Sequence, residues 1–280
     1  MTIKSLLVHL DDHPNAVART QTSIRLAARL DSHLIGLAPT GLLDMPAAPA
    51  AAAALADFAA NAWHTLRHRA EHLAERFQAD CREAGLASFA AVVDEADAAR
   101  ALIRQACTSD LVVLTQPDPA AADYKASRER VERVAIHSAR PTLVLPYAGH
   151  AEHIATRVLV TWDGSRESAR AAADALPLLQ AASAVTLAGW SESGGRNAPQ
   201  LRDELESAQR WLALHGVLAR VRLEGPTAAI AESIRACAVD AGADLIEMGA
   251  YGHTRLIERL LGGATRGLMA STPAPVLLSH

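Results

Sequence analysis

The chain has 280 residues, half of them apolar and 21% charged, and a formal net charge of −4. That length allows two ordinary domains, each with its own core, and the charge balance makes nucleic acid and anionic membrane poor partners. No apolar run reaches the roughly 20 residues that span a bilayer, and the opening MTIKSLLVHLDD meets acid too soon for a signal-peptide core, so a cytoplasmic location is expected.

In chain order, short β-branched runs alternate with helix-period runs, the pattern of a parallel sheet covered by helices. Strands are predicted near 4–10, 33–38, 88–93, 111–115 and 142–145, with helices between them. The same order then repeats, with strands near 157–162, 184–190, 219–223, 245–248 and 276–279. The halves also correspond in detail. LLVHLDD answers VLVTWDG, which sets Asp11 against Asp163 at the end of each first strand. ALIRQACTSDLVVL answers ESIRACAVDAGADLIEM, and HSARPTLVLP answers STPAPVLLSH. Matches in the same sequential order indicate duplication. The predicted domains are residues 1–146 and 157–280, joined by the linker YAGHAEHIAT.

One segment departs from the symmetry. MPAAPAAAAALADFAANAWHTLRHRAEHLAERF opens as an Ala/Pro tract, expected to fray or form a flexible loop. It continues as a long helix with Leu55, Phe58, Leu66, Leu73 and Phe77 on one side. His64, His68 and His72 recur on it at intervals of four, with Glu75 three further on, a spacing at which a histidine pair plus Glu75 can chelate Zn²⁺. Measured from Leu66 at about 100° per residue, His64, His68 and Glu75 point nearly opposite the apolar stripe. A solvated polar face is the simpler reading, since a structural metal site normally recruits a ligand from elsewhere. Cys81, Cys107 and Cys237 form no CxxC pair and are expected to be small core residues.

The stretch MGAYGHTRLIERLLGGATRGLMASTPAPVLLSH places Gly249, Gly252, Gly262 and Gly263 in one connection. Glycine permits positive φ or close approach of a ligand, at a cost in entropy. In an open parallel sheet, ligands bind beyond the carboxyl ends of the strands, and Met248 is such an end. Gly249 and Gly252 let the chain turn off the strand, and GGAT opens the last helix, whose free N–H groups and positive dipole end suit a phosphate. Thr265 adds a hydroxyl donor. Asp163, at the end of a neighbouring strand, supplies an acceptor for a sugar hydroxyl, an adenine amine or a hydrated Mg²⁺. The competing reading is a glycine-rich turn that only closes the fold.

With these motifs the sequence resembles the universal stress protein family, over nearly the whole chain, as a tandem pair of its domains. The family's nucleotide signature is Gly, two residues, Gly, nine residues, then Gly followed by Ser or Thr; Gly249, Gly252 and Gly262 stand at that spacing. DLIEMGA before it, TPAPVLL after it and LVTWDGS at the first strand are similar to the family's flanks. The resemblance implies an α/β fold: two tandem doubly wound parallel five-stranded sheet domains, adenine nucleotide alpha hydrolase-like and related by pseudo-twofold symmetry. It also implies binding of ATP or a related adenine nucleotide in the motif-bearing subset, dimerisation through the last strand, and a role in stress survival. The residues expected at the nucleotide are Asp163, Met248, Gly249, Gly252, Gly262, Gly263, Ala264 and Thr265.

Two departures bear on the site. Gly263 stands where the family has Ser or Thr, and loss of that hydrogen bond to a charged group costs roughly 1.5–3 kcal/mol if nothing replaces it. Weakened rather than abolished binding is expected, with Thr265 in partial compensation. The first half keeps Asp11 but reads LTQPDPAAADYKASRERVERV where the glycine loop should be, and Pro117 and Pro119 offer no N–H. The N-terminal domain is therefore expected to be a degenerate partner that completes the pseudo-dimer.

Other motifs lead nowhere. ESGGRNAP contains the Ser-Gly-Gly of a pyrophosphatase loop but continues with Asn197 and Ala198 and follows the wrong strand. No Ser/His/Asp or Cys/His set can be argued, and Ser165 fits as the N-cap of a helix starting near Arg166. Without a general base aimed at a phosphate, a catalytic cycle has no warrant. The leading expectation is a nucleotide-dependent stress-response regulator that self-associates through its last strands and acts on a regulatory protein partner. The alternatives are a nucleotide-free interaction scaffold and a slow ATPase.

Overall fold

The computed structural model describes residues 2–41, 52–148, 153–191, 198–225, 230–250 and 263–280. The chain divides into two compact units, Ile3–Leu114 and Thr115–His280.

In the first unit the strands lie in the order β3 (Phe89–Asp94), β2 (His33–Pro39), β1 (Ser5–His9) and β4 (Leu111–Thr115), with every neighbouring pair parallel. Leu6, Leu7 and Val8 of β1 and Leu111, Val112 and Val113 of β4 are wholly buried, as befits strands of a parallel sheet covered on both faces. Helices α1 (Ala16–Leu30), α2 (Ala52–Glu83) and α3 (Ala98–Ala106) connect them. Helix α2 packs on β2 and β3 through Phe77, whose ring lies 2.7 Å from where a β-carbon on Gly36 would stand. Only glycine lets helix and strand meet there. Asp97 caps α3, its carboxylate accepting from the N–H groups of Ala99 and Arg100.

In the second unit the order is β5 (Thr142–Leu145), β10 (Val276–Ser279), β9 (Leu245–Gly249), β6 (Arg157–Thr161), β7 (Ala184–Trp190) and β8 (Ala219–Glu224). These are parallel except for β5, which runs antiparallel to β10 with Leu143 opposite Leu277. The last strands of the two repeats are thus paired inside one chain. Helices α4 (Tyr124–His137), α5 (Arg166–Ala181), α6 (Ala198–Leu214), α7 (Ile230–Asp240) and α8 (Gly263–Ala270) complete the unit. Gln116 ties it together: its side-chain amide donates to the carbonyls of Leu268 and Met269 at the end of α8, at 3.3 and 3.0 Å, and its oxygen accepts from the N–H of Tyr147.

The repeat is visible in hydrogen bonds as well as in order. Asp110, just before β4, accepts from the N–H groups of Lys4 and Ser5 at 2.8 and 3.0 Å. Asp244, just before β9, accepts from Thr156 and Arg157, both at 2.9 Å. In each half the aspartate clamps the chain as it enters the first strand. All ten predicted strands are present, with bounds within two residues of expectation. One expectation changes. Cys107 is exposed, while Cys81 and Cys237 are buried, because Cys107 falls at the cap beyond α3, outside the helix's apolar face. The Ala/Pro tract before residue 52 and the centre of the linker, 149–152, lie outside the described residues. No described helix is long and apolar enough to cross a membrane.

Candidate functional site

In the second unit the chain runs outward from β6 in one direction through β7 and β8, and in the other through β9 and β10. The crevice beyond the carboxyl ends of β6 and β9 is therefore the point where strand order reverses and ligands bind in such sheets. Asp163 follows β6 and is exposed. Its Oδ1 accepts from the N–H and the hydroxyl of Ser165, at 3.0 and 2.5 Å. Ser165 in turn caps α5, accepting from the N–H of Ser168 at 3.1 Å, so the acid stands on a helix start that its own neighbour organises. Beside it, the indole N–H of Trp162 is buried without an acceptor among the described residues, a rare condition for a buried donor.

From β9, Met248 is buried and Gly249 ends the strand. A β-carbon on Gly249 would stand 2.6 Å from the backbone of Glu167 and Ser168, and Gly249 has no positive φ. Its glycine is needed for the close approach of the first turn of α5, not for the sharp turn expected from sequence. Gly252 and Gly262 lie outside the described residues. Gly263, Ala264 and Thr265 form the first turn of α8, where backbone N–H groups lack intrahelical acceptors. The Thr265 side chain is buried.

Two residues that sequence reasoning missed accompany the site. Trp162 is one. Glu247 is the other, wholly buried with neither carboxyl oxygen hydrogen-bonded among the described residues. Burial, with Asp174 and Asp163 adding to it, pushes its carboxyl well above the usual range. Its sole signal is an acid within the apolar strand of DLIEMGA.

The equivalent place in the first unit is occupied by the protein itself. Asp11 Oδ1 accepts from Arg19 Nη2 at 2.7 Å, and its Oδ2 lies 3.1 Å from His9 Nδ1. Arg19 Nε donates to the His9 carbonyl at 2.9 Å, and both side chains are buried, 3% and 4% exposed. Burial alone would raise the Asp11 carboxyl, but the Arg19 guanidinium and His9 overcome it and hold the group far below the ordinary carboxylate range. Nothing in the spacing of LLVHLDD announces Arg19. In the second unit, the segment in place of a glycine loop carries Asp118, which accepts from the N–H of Ala120, and Asp123, which sits at the N-cap of α4. The Asp123 carboxylate makes no cap hydrogen bond and accepts instead from the Ser127 hydroxyl at 2.7 Å, and its charge at the helix start disfavours a second anion there.

On α2, His64, His68, His72 and Glu75 are all exposed. No group of three or more potential metal ligands comes together among the described residues. Residues 192–197, which hold the Ser-Gly-Gly turn, lie outside them.

Residues 155–280 match the sequence profile of the universal stress protein family. No curated protein sequence matches the chain. Among solved structures, a universal stress protein from Archaeoglobus fulgidus DSM 4304 is similar at a TM-score of 0.75 and 16% identity, covering 99% of this chain and 96% of that one. A protein described as functionally unknown, from Pseudomonas aeruginosa PAO1, is similar at 0.63 and 16% identity, covering 99% and 92%. Residues 155–280 are thus a match to the universal stress protein family, and the fold of the whole chain is similar to that of a solved universal stress protein.

Proposed function

We propose that this chain is a cytoplasmic stress-response regulator that binds ATP or a related adenine nucleotide, with Mg²⁺, at the β6–β9 crevice of its C-terminal domain. The contrast between two equivalent acids carries the reading. Asp11 is consumed by Arg19 and His9, whereas Asp163 is exposed and its Oδ2 has no partner among the described residues. The orphaned Trp162 N–H beside it and the first-turn N–H groups of α8 are further donors and dipoles for a polar anionic ligand. Gly249, Gly252 and Gly262 would pass close to ribose and phosphates, with Gly263, Ala264 and Thr265 holding phosphates. The N-terminal domain holds no nucleotide in this way and serves as a degenerate partner. The last-strand contact implied by the family is met inside the chain, since β10 is hydrogen-bonded on one side to β5 and on the other to β9.

Calorimetric titration with ATP and Mg²⁺, after carried-over nucleotide has been stripped by unfolding and identified, tests this. One nucleotide per chain, lost in Gly252→Val and weakened about 10- to 150-fold in Asp163→Ala by loss of a charged hydrogen bond worth about 1.5–3 kcal/mol, is the expected result. No heat and no released nucleotide would sink the assignment and leave an interaction scaffold. Turnover of labelled ATP would instead identify a slow ATPase.

A further inference from the structure

Strand β9 lies inside its sheet, between β10 and β6, and Glu247 is at its middle, in register with Leu277 on β10 and Val160 on β6. The side chain is 0% exposed, and neither carboxyl oxygen has a hydrogen-bond partner among the described residues. Alternation along the strand puts Glu247 on the same face as Gly249, and Gly249 meets the backbone of α5. Helix α5 packs along β9 and β10 and buries Ala171, Ala172, Ala175 and Leu178. Glu247 is thus enclosed between sheet and helix, with no hydrogen-bond donor among the described residues.

Among the described residues, the charged groups that act on it are acids. From α5 comes Asp174, whose carboxylate holds Arg170 at 2.9 Å, and Glu167, held by Arg166. From the end of β6 comes Asp163. The Thr161 hydroxyl on β6 donates to the backbone carbonyl of Glu247 at 3.1 Å and not to its side chain. On β10 the hydroxyl of Ser279 is itself buried and without a partner among the described residues, and His280 beyond it engages the carbonyl of Ala250. A carboxylate in this enclosure would be unpaired, which the chain avoids by keeping a proton on it. The first repeat has Val113 at the matching position, also wholly buried, so the fold itself does not require an acid here.

We propose that Glu247 is a proton-operated latch: its neutral acid lets α5 close on β9 and on the root of the glycine loop, and loss of its proton as pH rises loosens that contact. The sign follows from linkage. A carboxyl whose folded-state affinity for protons exceeds its unfolded-state affinity contributes stability that is fully present below the unfolded pKa. That contribution is lost progressively as pH rises toward the folded value, by up to tenfold in the folding equilibrium constant per pH unit. The latch needs no bound nucleotide.

The test is urea unfolding of the full chain from pH 5 to pH 8, followed by tryptophan fluorescence, to which Trp162, Trp190 and Trp211 contribute from the second unit. Wild type should lose on the order of tenfold or more in folding equilibrium constant across that range relative to Glu247→Gln. Glu247→Val, which restores the residue found at 113, should be similarly insensitive and keeps the test open if Gln folds poorly. Infrared spectra at neutral pH should show a protonated carboxyl band that both variants lack. Parallel pH profiles for wild type and variants, or no such band, would overturn the proposal.

Discussion

Adding a single methyl group at Gly249 should damage the C-terminal unit far more than its size suggests. The new β-carbon would stand 2.6 Å from the carbonyl carbon of Glu167 and the nitrogen of Ser168, roughly 1 Å inside ordinary van der Waals contact. Both obstacles are backbone, and they belong to the first turn of α5, held by the Ser165 cap. The helix start must therefore move as a body, with loss of its packing on β9. Overpacking of this kind costs about 1–3 kcal/mol, and a backbone obstacle places Gly249→Ala near 3 kcal/mol. At about 2–4 °C per kcal/mol for a unit of this size, its melting temperature should fall by roughly 6–12 °C. Gly225→Ala is the control, because a β-carbon there meets nothing within 4 Å. Thermal and urea unfolding of the two variants should separate them clearly; equal midpoints would refute the claim that close approach of α5 dictates glycine at 249.

Asp11→Asn should cost about 3 kcal/mol in urea, because it leaves the buried Arg19 guanidinium without its counter-charge. The carboxyl's depressed pKa means that its contribution is present above the ordinary aspartate pKa and is lost as pH falls below it. Wild type should thus weaken relative to Asp11→Asn between about pH 4 and pH 2. Of the three thiols, only Cys107 should react rapidly with an aromatic disulfide reagent in the folded chain, since Cys81 is buried and its thiol is pushed up to about 12. Full reaction of three thiols before unfolding would contradict the structure. Gln116→Leu should lower stability by about 1–3 kcal/mol, because the carbonyls of Leu268 and Met269 and the N–H of Tyr147 lose their buried partner. An unchanged urea midpoint would show that water substitutes for the amide.

The strands were legible because buried parallel strands are short continuous apolar runs, and β4, β5 and β10 could be read to the residue from LVVLT, TLVL and VLLS. Direction was harder. Local composition does not say that β5 runs antiparallel to β10; that depends on partners far apart in sequence. At the site, Asp163 was legible from its repeat partner Asp11, but the different surroundings of the two were not. Arg19 lies on α1, where an arginine ordinarily keeps its charged head in water, and only the folded chain turns it inward to Asp11. Glu247 is opaque for the same reason. A single acid in a strand reads as a solvent-facing position, and its burial comes from α5 packing over that face. Cys107 was misread because cysteine is so often buried, while its place one residue past α3 puts it outside the packed face.

The pairing of β5 with β10 has a consequence for how the two halves can differ. Two separate copies joined through such strands would associate in a concentration-dependent way, and any substitution would appear on both sides of the contact. With both strands on one polypeptide, the junction is intramolecular and does not dissociate on dilution. Each half is also free to change alone: a buried arginine beside one acid and a buried glutamate beneath one helix each exist in a single copy, without a mirror image to accommodate.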